Sequence, residues 1–154
     1  MPYYNSLLIS PEVIKSDTPL SGSVDNKLIT PVIKLSQDKY ILPILGTDLF
    51  EKLKSDIRYN VAFLTDYRNL MRKIEPALVQ YTFAELLPVL RLRFVDNAVT
   101  IMNSEQSSSA SYEDLKPIIN STIDMAEFYR QRLVDFLQDN SSKFSEYTSN
   151  TGSD

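Results

Sequence analysis

Leu115, Ile119, Thr122, Ala126, Tyr129, Leu133 and Phe136 follow one another at steps of 4, 3, 4, 3, 4 and 3 residues. That spacing puts them on one line only in an α-helix, so residues after Ser111 must form a helix of about six turns with a continuous apolar stripe. Ser111 and Asp114 supply a capping-box-like start, with Asp in place of the usual Glu or Gln. Each fully buried member of the stripe contributes roughly 1.5 to 3 kcal/mol. The helix therefore needs a surface to lie on. A coiled coil with a second copy would satisfy it, but a stripe of this length is ordinary for one long helix laid on a bundle.

The remaining chain supplies that bundle. Between Val24 and Tyr40, apolar Leu28, Ile29, Val32, Ile33 and Leu35 fall broadly at helical spacing, with charged Asp25, Lys27, Lys34, Asp38 and Lys39 mostly opposite. Pro31 inside this pattern predicts a kink, or a fresh start with Thr30 as cap. The knot from Leu42 to Leu49 reads as a corner. Pro43 disfavours helical geometry at Leu42, Gly46 can adopt the positive φ that ends a helix, and Thr47 caps a short helix from Asp48 to about Ile57. Leu49, Phe50, Leu53 and Ile57 would face inward, with Asp48 and Glu51 complementing the N-terminal dipole. Two further helices are expected, Val61 to Lys73 and Pro76 to about Leu90. The second is apolar on more than one side and belongs at the centre.

Around Asp96-Asn97 the period shortens. Leu92, Phe94, Ala98, Thr100 and Met102 alternate with Arg93, Val95, Val99 and Ile101, which predicts a β-hairpin, followed by a polar loop to Ser111. The expected fold is mainly α: a bundle of about four to five helices, with a small β-hairpin and mobile loop inserted at about 91–111 before the long C-terminal helix. Residues 1–23 read as an N-terminal arm with a short helix from Pro11, capped by Ser10, whose Leu7, Leu8 and Ile9 are too apolar for a free tail. Residues 24–139 form a single domain, and 140–154 a flexible tail in which Phe144 and Tyr147 can dock.

Composition narrows the chemistry. The 154 residues include no cysteine and no histidine, so disulfides, thiol nucleophiles, imidazole bases and zinc sites with sulfur or imidazole ligands are excluded. No phosphate loop, serine elbow or metal-spaced acidic cluster is present. The carboxylate pairs Asp48/Glu51 and Glu113/Asp114 suit helix N-termini. The expectation is no catalytic residue, no cofactor and no metal. No apolar run is long enough to span a bilayer, and the N-terminus does not read as a signal peptide, so a cytoplasmic site of synthesis without a membrane is expected.

The net charge of −4 is uneven: residues 105–154 carry nine acidic and four basic side chains. Such a surface disfavours non-specific DNA binding. Arg68, Arg72 and Lys73 form a basic cluster on one expected helix face, with Arg91 and Arg93 further on; a solvated face explains it, and contact with phosphate or an acidic partner is the sharper alternative.

The run Ile29-Thr30-Pro31-Val32-Ile33, Ser36-Gln37-Asp38-Lys39-Tyr40 and Pro43-Ile44-Leu45-Gly46-Thr47-Asp48-Leu49-Phe50 resembles the head-to-tail connector (neck ring, portal adaptor) proteins of tailed bacteriophages, most of all those of crAss-like phages and related Bacteroidetes prophages. The resemblance continues through Lys73-Ile74-Glu75-Pro76-Ala77-Leu78, Asn103-Ser104-Glu105, Ser109-Ala110-Ser111, Ala126-Glu127-Phe128-Tyr129 and Arg132-Leu133, and so covers residues 24–147. It implies a structural virion protein, not an enzyme, assembled in the bacterial host cytoplasm. About a dozen copies would form a ring under the portal protein, next to other neck or tail proteins, and extend the DNA channel without sequence-specific binding. An acidic lumen would let DNA slide. The subunit and partner interface is expected at Arg91, Arg93, Phe94, Val95, Val99 and Ile101 of the hairpin, which could pair edge to edge, and at Tyr147. The alternative is a non-viral helical protein–protein adaptor domain without catalytic activity.

Overall fold

The computed structural model describes residues 6–100 and 112–148. Its long elements are all helical: α1 Pro11–Asp17, α2 Asn26–Ser36, a π-helical turn Gln37–Ile41, α3 Leu42–Leu45, α4 Thr47–Arg58, α5 Thr65–Thr100, α6 Tyr112–Asp139, a 3-10 turn Ser141–Lys143 and α7 Ser145–Thr148. The chain is mainly α, as the periodicities require.

The central element is α5. Leu70, Ile74, Ala77, Leu78, Val79, Tyr81, Thr82, Ala84 and Leu86 are all buried, on several sides of the helix. α6 packs along one side, while α1, α2 and the π turn cover another. The α6 stripe is the one read from the sequence: Thr122, Ala126 and Leu133 are buried, joined by Leu137. Lys73 lies over the ring of Phe136 and the Tyr81 hydroxyl donates to Glu127 Oε1 at 2.6 Å. Positions that rise along α5 thus meet positions that fall along α6, so the two helices run antiparallel.

Two expectations change in α5. The separate helices at 61–73 and 76–90 are one helix that passes through Pro76 and Pro88. A proline removes one N–H and crowds one carbonyl, and burial of the flanking Ile74, Ala77 and Leu78 outweighs that loss. The helix also continues to Thr100, where Leu92 to Val95 and the Asp96-Asn97 turn were expected as the first half of a β-hairpin. No strand occurs among the described residues. A short apolar run does not by itself distinguish strand from helix, and here it extends a helix already nucleated over seven turns, where each further residue adds a hydrogen bond without a new nucleus. Residues 101–111, including the rest of the hairpin, the polar loop and the Ser111 cap, lie outside the described residues.

The N-terminal half turns on residues 25–46. Asp25 caps α2 by accepting from the Lys27 N–H at 2.9 Å. The helix does not restart at Thr30, and Pro31 sits within it on the exposed side. There the crowded Lys27 carbonyl can tilt toward water. Ile29, Ile33, Gln37, Ile41 and Leu45 are all buried at steps of four. An ideal α-helix carries such a row about 40° around its axis per step. The π turn, closed by the Leu42 N–H on the Gln37 carbonyl five residues back, widens the spiral and keeps the row facing the core. Gly46 then ends α3 at φ 81°, ψ 160°. α4 opens at Thr47, one residue earlier than expected, with Gly46 in the flanking position where Thr47 was expected as cap. Leu49, Phe50 and Leu53 face inward, and Ile57 is half-buried.

Residues 6–20 dock on this body. Leu8, Ile9, Ile14 and Leu20 are buried, and α1 runs two residues further than the expected Pro11 to Lys15. The buried Gln37 amide holds the arm at two points: Oε1 accepts from the Leu8 N–H and Nε2 donates to the Ser6 carbonyl, both at 2.9 Å. At the other end, the segment expected as a flexible tail carries the 3-10 turn and α7. Phe144 is fully buried against Tyr67 and Phe136, and the Tyr67 hydroxyl donates to Glu146 Oε2 at 2.7 Å. Burial and that carboxylate push the Tyr67 phenol up to about 12.

Two buried hydroxyls, Ser36 Oγ and Thr82 Oγ1, have no hydrogen-bond partner within the described protein. Replacing such a hydroxyl by a methyl of the same shape removes a desolvation cost of about 1 kcal/mol. Thr82→Val is therefore expected to raise the urea midpoint. A lowered midpoint would mean that the hydroxyl is satisfied in solution.

Candidate interaction surfaces

No group of three or more His, Cys, Asp or Glu that could hold a metal occurs among the described residues. Asp48 and the pair Glu113/Asp114 sit in the first turns of α4 and α6, where the helix dipole favours them, while Glu51 lies beyond the first turn and pairs with Lys54 at 3.4 Å. Lys54 is itself buried and lies over the Phe50 ring.

The densest polar cluster joins the π turn to α5 and α6. Tyr40 and Tyr81 stack with ring centroids 3.8 Å apart, Tyr40 donates to Glu85, and Lys39 Nζ sits 2.9 Å from the same carboxylate. Burial and the neighbouring carboxylates raise both phenols, Tyr81 above the range in which it could ionise. Burial pushes Glu85 up, but the bonds from Tyr40 and Lys39 outweigh it and hold the carboxyl below its usual value. Protonated phenols and a charged, doubly hydrogen-bonded carboxylate make neither a base nor an acid at neutral pH. This cluster fixes helix positions.

The surface carries two unlike apolar patches. The first surrounds the α4–α5 corner. A groove of about 590 Å³ between the arm and α5 is lined by Leu7, Ile9, Ile57, Phe63 and Met71, with the charged Arg68, Arg72 and Glu75 also in its lining. Beside it Tyr59, Val61 and Leu64 are exposed, Leu64 by 73%. Leu64 was expected to share a helix face with Tyr67, Leu70 and Met71, but it precedes the helix. Arg68 and Arg72 lie one turn apart in solvent, whereas Lys73, expected beside them, turns to Phe136. Residues 58–75 hold four basic side chains and two acidic.

The second patch is the outer flank of α6. Ile118, Met125 and Phe128, at steps of seven and three, are exposed by 48, 47 and 55%. This row was missed in the sequence because the inward stripe already accounted for the helix. The signal was there in apolar residues left over beside that stripe. Glu113, Asp124 and Asp135 are exposed on the same helix, and Arg132 stands over the Phe128 ring. Tyr112–Asp139 holds six acidic and three basic side chains.

The interface residues expected from the sequence are not brought together. Arg91 is half-buried on α5, and Arg93, Phe94, Val95 and Val99 belong to the last turns of that helix, not to a hairpin. Ile101 lies outside the described residues. Tyr147 is on α7, next to the start of α5. The 24 residues from Tyr67 to Arg91 separate it from them by about 36 Å of helix.

Among the described residues the fold is helical, the polar clusters are engaged within the bundle, and apolar side chains stand exposed at the α4–α5 corner and along α6. The chain belongs to a family of unknown function (DUF6712), whose model matches residues 41–154, from the end of the π turn through α7. No curated protein and no solved structure matches it. No helix among the described residues is long and apolar enough to cross a membrane.

Proposed function

We propose that the chain is a structural virion protein, a head-to-tail connector subunit that forms a ring under the portal and extends the DNA channel toward the tail. The observation that carries this reading is that apolar side chains stand exposed at two separate places on a firmly packed bundle, the α4–α5 corner and the flank of α6, which is what a subunit touching more than one neighbour needs. The resemblance to phage connectors of the residues between Leu28 and Leu53 supports it. Those residues build the π turn, the Gly46 corner and α4, the part of the fold that sets the angle between helices. The acidic balance after residue 104 supports passage of DNA without adherence.

The test is location. Particles from an induced lysate, imaged by cryo-electron microscopy, are expected to show this bundle repeated around the neck below the portal, and a tagged subunit should co-purify with portal protein. A complete neck without the subunit, with the protein found instead on a non-viral partner, would establish the adaptor alternative.

A further inference from the structure

We propose that the basic groove at the α4–α5 corner receives the acidic, apolar flank of α6 from a second copy, in a head-to-tail contact. Charge singles out this occupant. The corner, residues 58–75, is net +2 with Glu75 counted, and α6 is net −3, so each patch repels its own likeness and attracts the other. Groove against groove or α6 against α6 would set like charge against like, whereas groove against α6 pairs opposite signs, and where that contact is not reciprocated by the same neighbour it can repeat around a ring.

Shape agrees with charge. Ile118, Met125 and Phe128 stand at i, i+7 and i+10, the spacing by which a helix inserts anchors into an apolar groove. A groove of about 590 Å³ floored by Ile57, Phe63 and Met71 accommodates such side chains, while Arg68 and Arg72 in its lining meet carboxylates such as Asp124. One copy cannot fill its own groove. The start of α5 faces the end of α6, where Lys73 lies over Phe136, and Met125 lies 11 residues before Phe136, about 16 Å back along the helix. Arg132 is drawn onto the Phe128 ring at 5.8 Å, which leaves the acidic side chains to face the partner.

The proposal gives the ring reading its subunit contact and rests on that reading for closure, but its test uses neither portal nor virion. Full-length protein is followed by sedimentation from about 10 µM to about 500 µM, a range that captures weak association. The mean mass is expected to climb above 17.6 kDa, and to climb less at high salt because the contact is charged. Leu64→Asp and Met125→Lys both change exposed side chains, so the fold should survive, as circular dichroism will check. Each is expected to weaken association by about tenfold or more. Mixed in equal amounts they should pair once, the intact α6 of the first in the intact groove of the second, and stop at twice the monomer mass. A wild-type chain that stays monomeric throughout overturns the proposal, and so does a mixture that stays monomeric. Association lost in Leu64→Asp but kept in Met125→Lys would assign the groove another occupant and overturn it as well. A subunit absent from the neck overturns the connector reading alone.

Discussion

Gly46→Val is expected to lower the melting midpoint by about 6 to 12 °C, the equivalent of about 3 kcal/mol in a domain of this size. The corner holds Gly46 at φ 81°, ψ 160°, a region that side chains with a Cβ, and β-branched ones above all, scarcely enter. The backbone has no freedom to relax, because the Gly46 N–H donates to the Leu42 carbonyl at 2.9 Å and its own carbonyl accepts from the Phe50 N–H at 3.1 Å. Leu45 on one side and Leu49 and Phe50 on the other are buried, so strain at the corner is felt by the core. Gly22→Ala is the control. A Cβ there meets nothing within 4 Å, and the substitution should be neutral or stabilising by several tenths of a kcal/mol. A Gly46→Val protein that kept its midpoint yet failed to join the neck would show that the corner acts as an interface.

Gln37→Ala is expected to cost about 3 kcal/mol, because it orphans the Leu8 N–H and the Ser6 carbonyl beside buried apolar groups. Amide exchange at Leu8 should accelerate by more than tenfold, and protease should cut the arm before the bundle. Gln37→Glu separates the two bonds. A carboxylate still accepts from Leu8 but faces the Ser6 carbonyl with no donor, so burial raises its pKa above the unfolded value. The penalty is then full at neutral pH and relieved as pH falls through the raised folded-state pKa, where the protonated acid can donate to Ser6. Equal stability of Gln37→Glu at pH 5 and pH 8 would contradict this account.

What the sequence made legible was what rests on spacing over many residues. The α6 stripe, the inward face of α4 and the central burial of α5 each follow from several apolar positions in register, and the positive φ of Gly46 follows from the special latitude of glycine. The seam between helices was less legible. Pro76 read as a boundary because its local cost is visible in sequence, whereas the burial that offsets it comes from helices distant in the chain. The π turn has no local mark except a row of apolar residues at steps of four with Gln37 in it. Nothing local in the sequence marks Gln37 as buried, since its partners are the backbone of residues 6 and 8, 31 and 29 positions away. Alternation from Leu92 to Thr100 imitates a strand and so reads as a hairpin where α5 in fact continues, while the exposed row on α6 is hidden in the sequence by the stronger row behind it.

The Gln37 clamp also has a place in time. The arm is made first, and its apolar side chains pack against α5, which begins at Thr65 and so emerges several seconds later at ordinary rates of synthesis. Gln37 follows Leu8 by only 29 residues. The growing chain can tie down its N-terminus with Gln37, and before that through the Asn26 amide on Glu12 at 3.0 Å, while the rest of its core is still unmade. The residue that holds the arm in the finished bundle is thus also the one able to shelter it during translation.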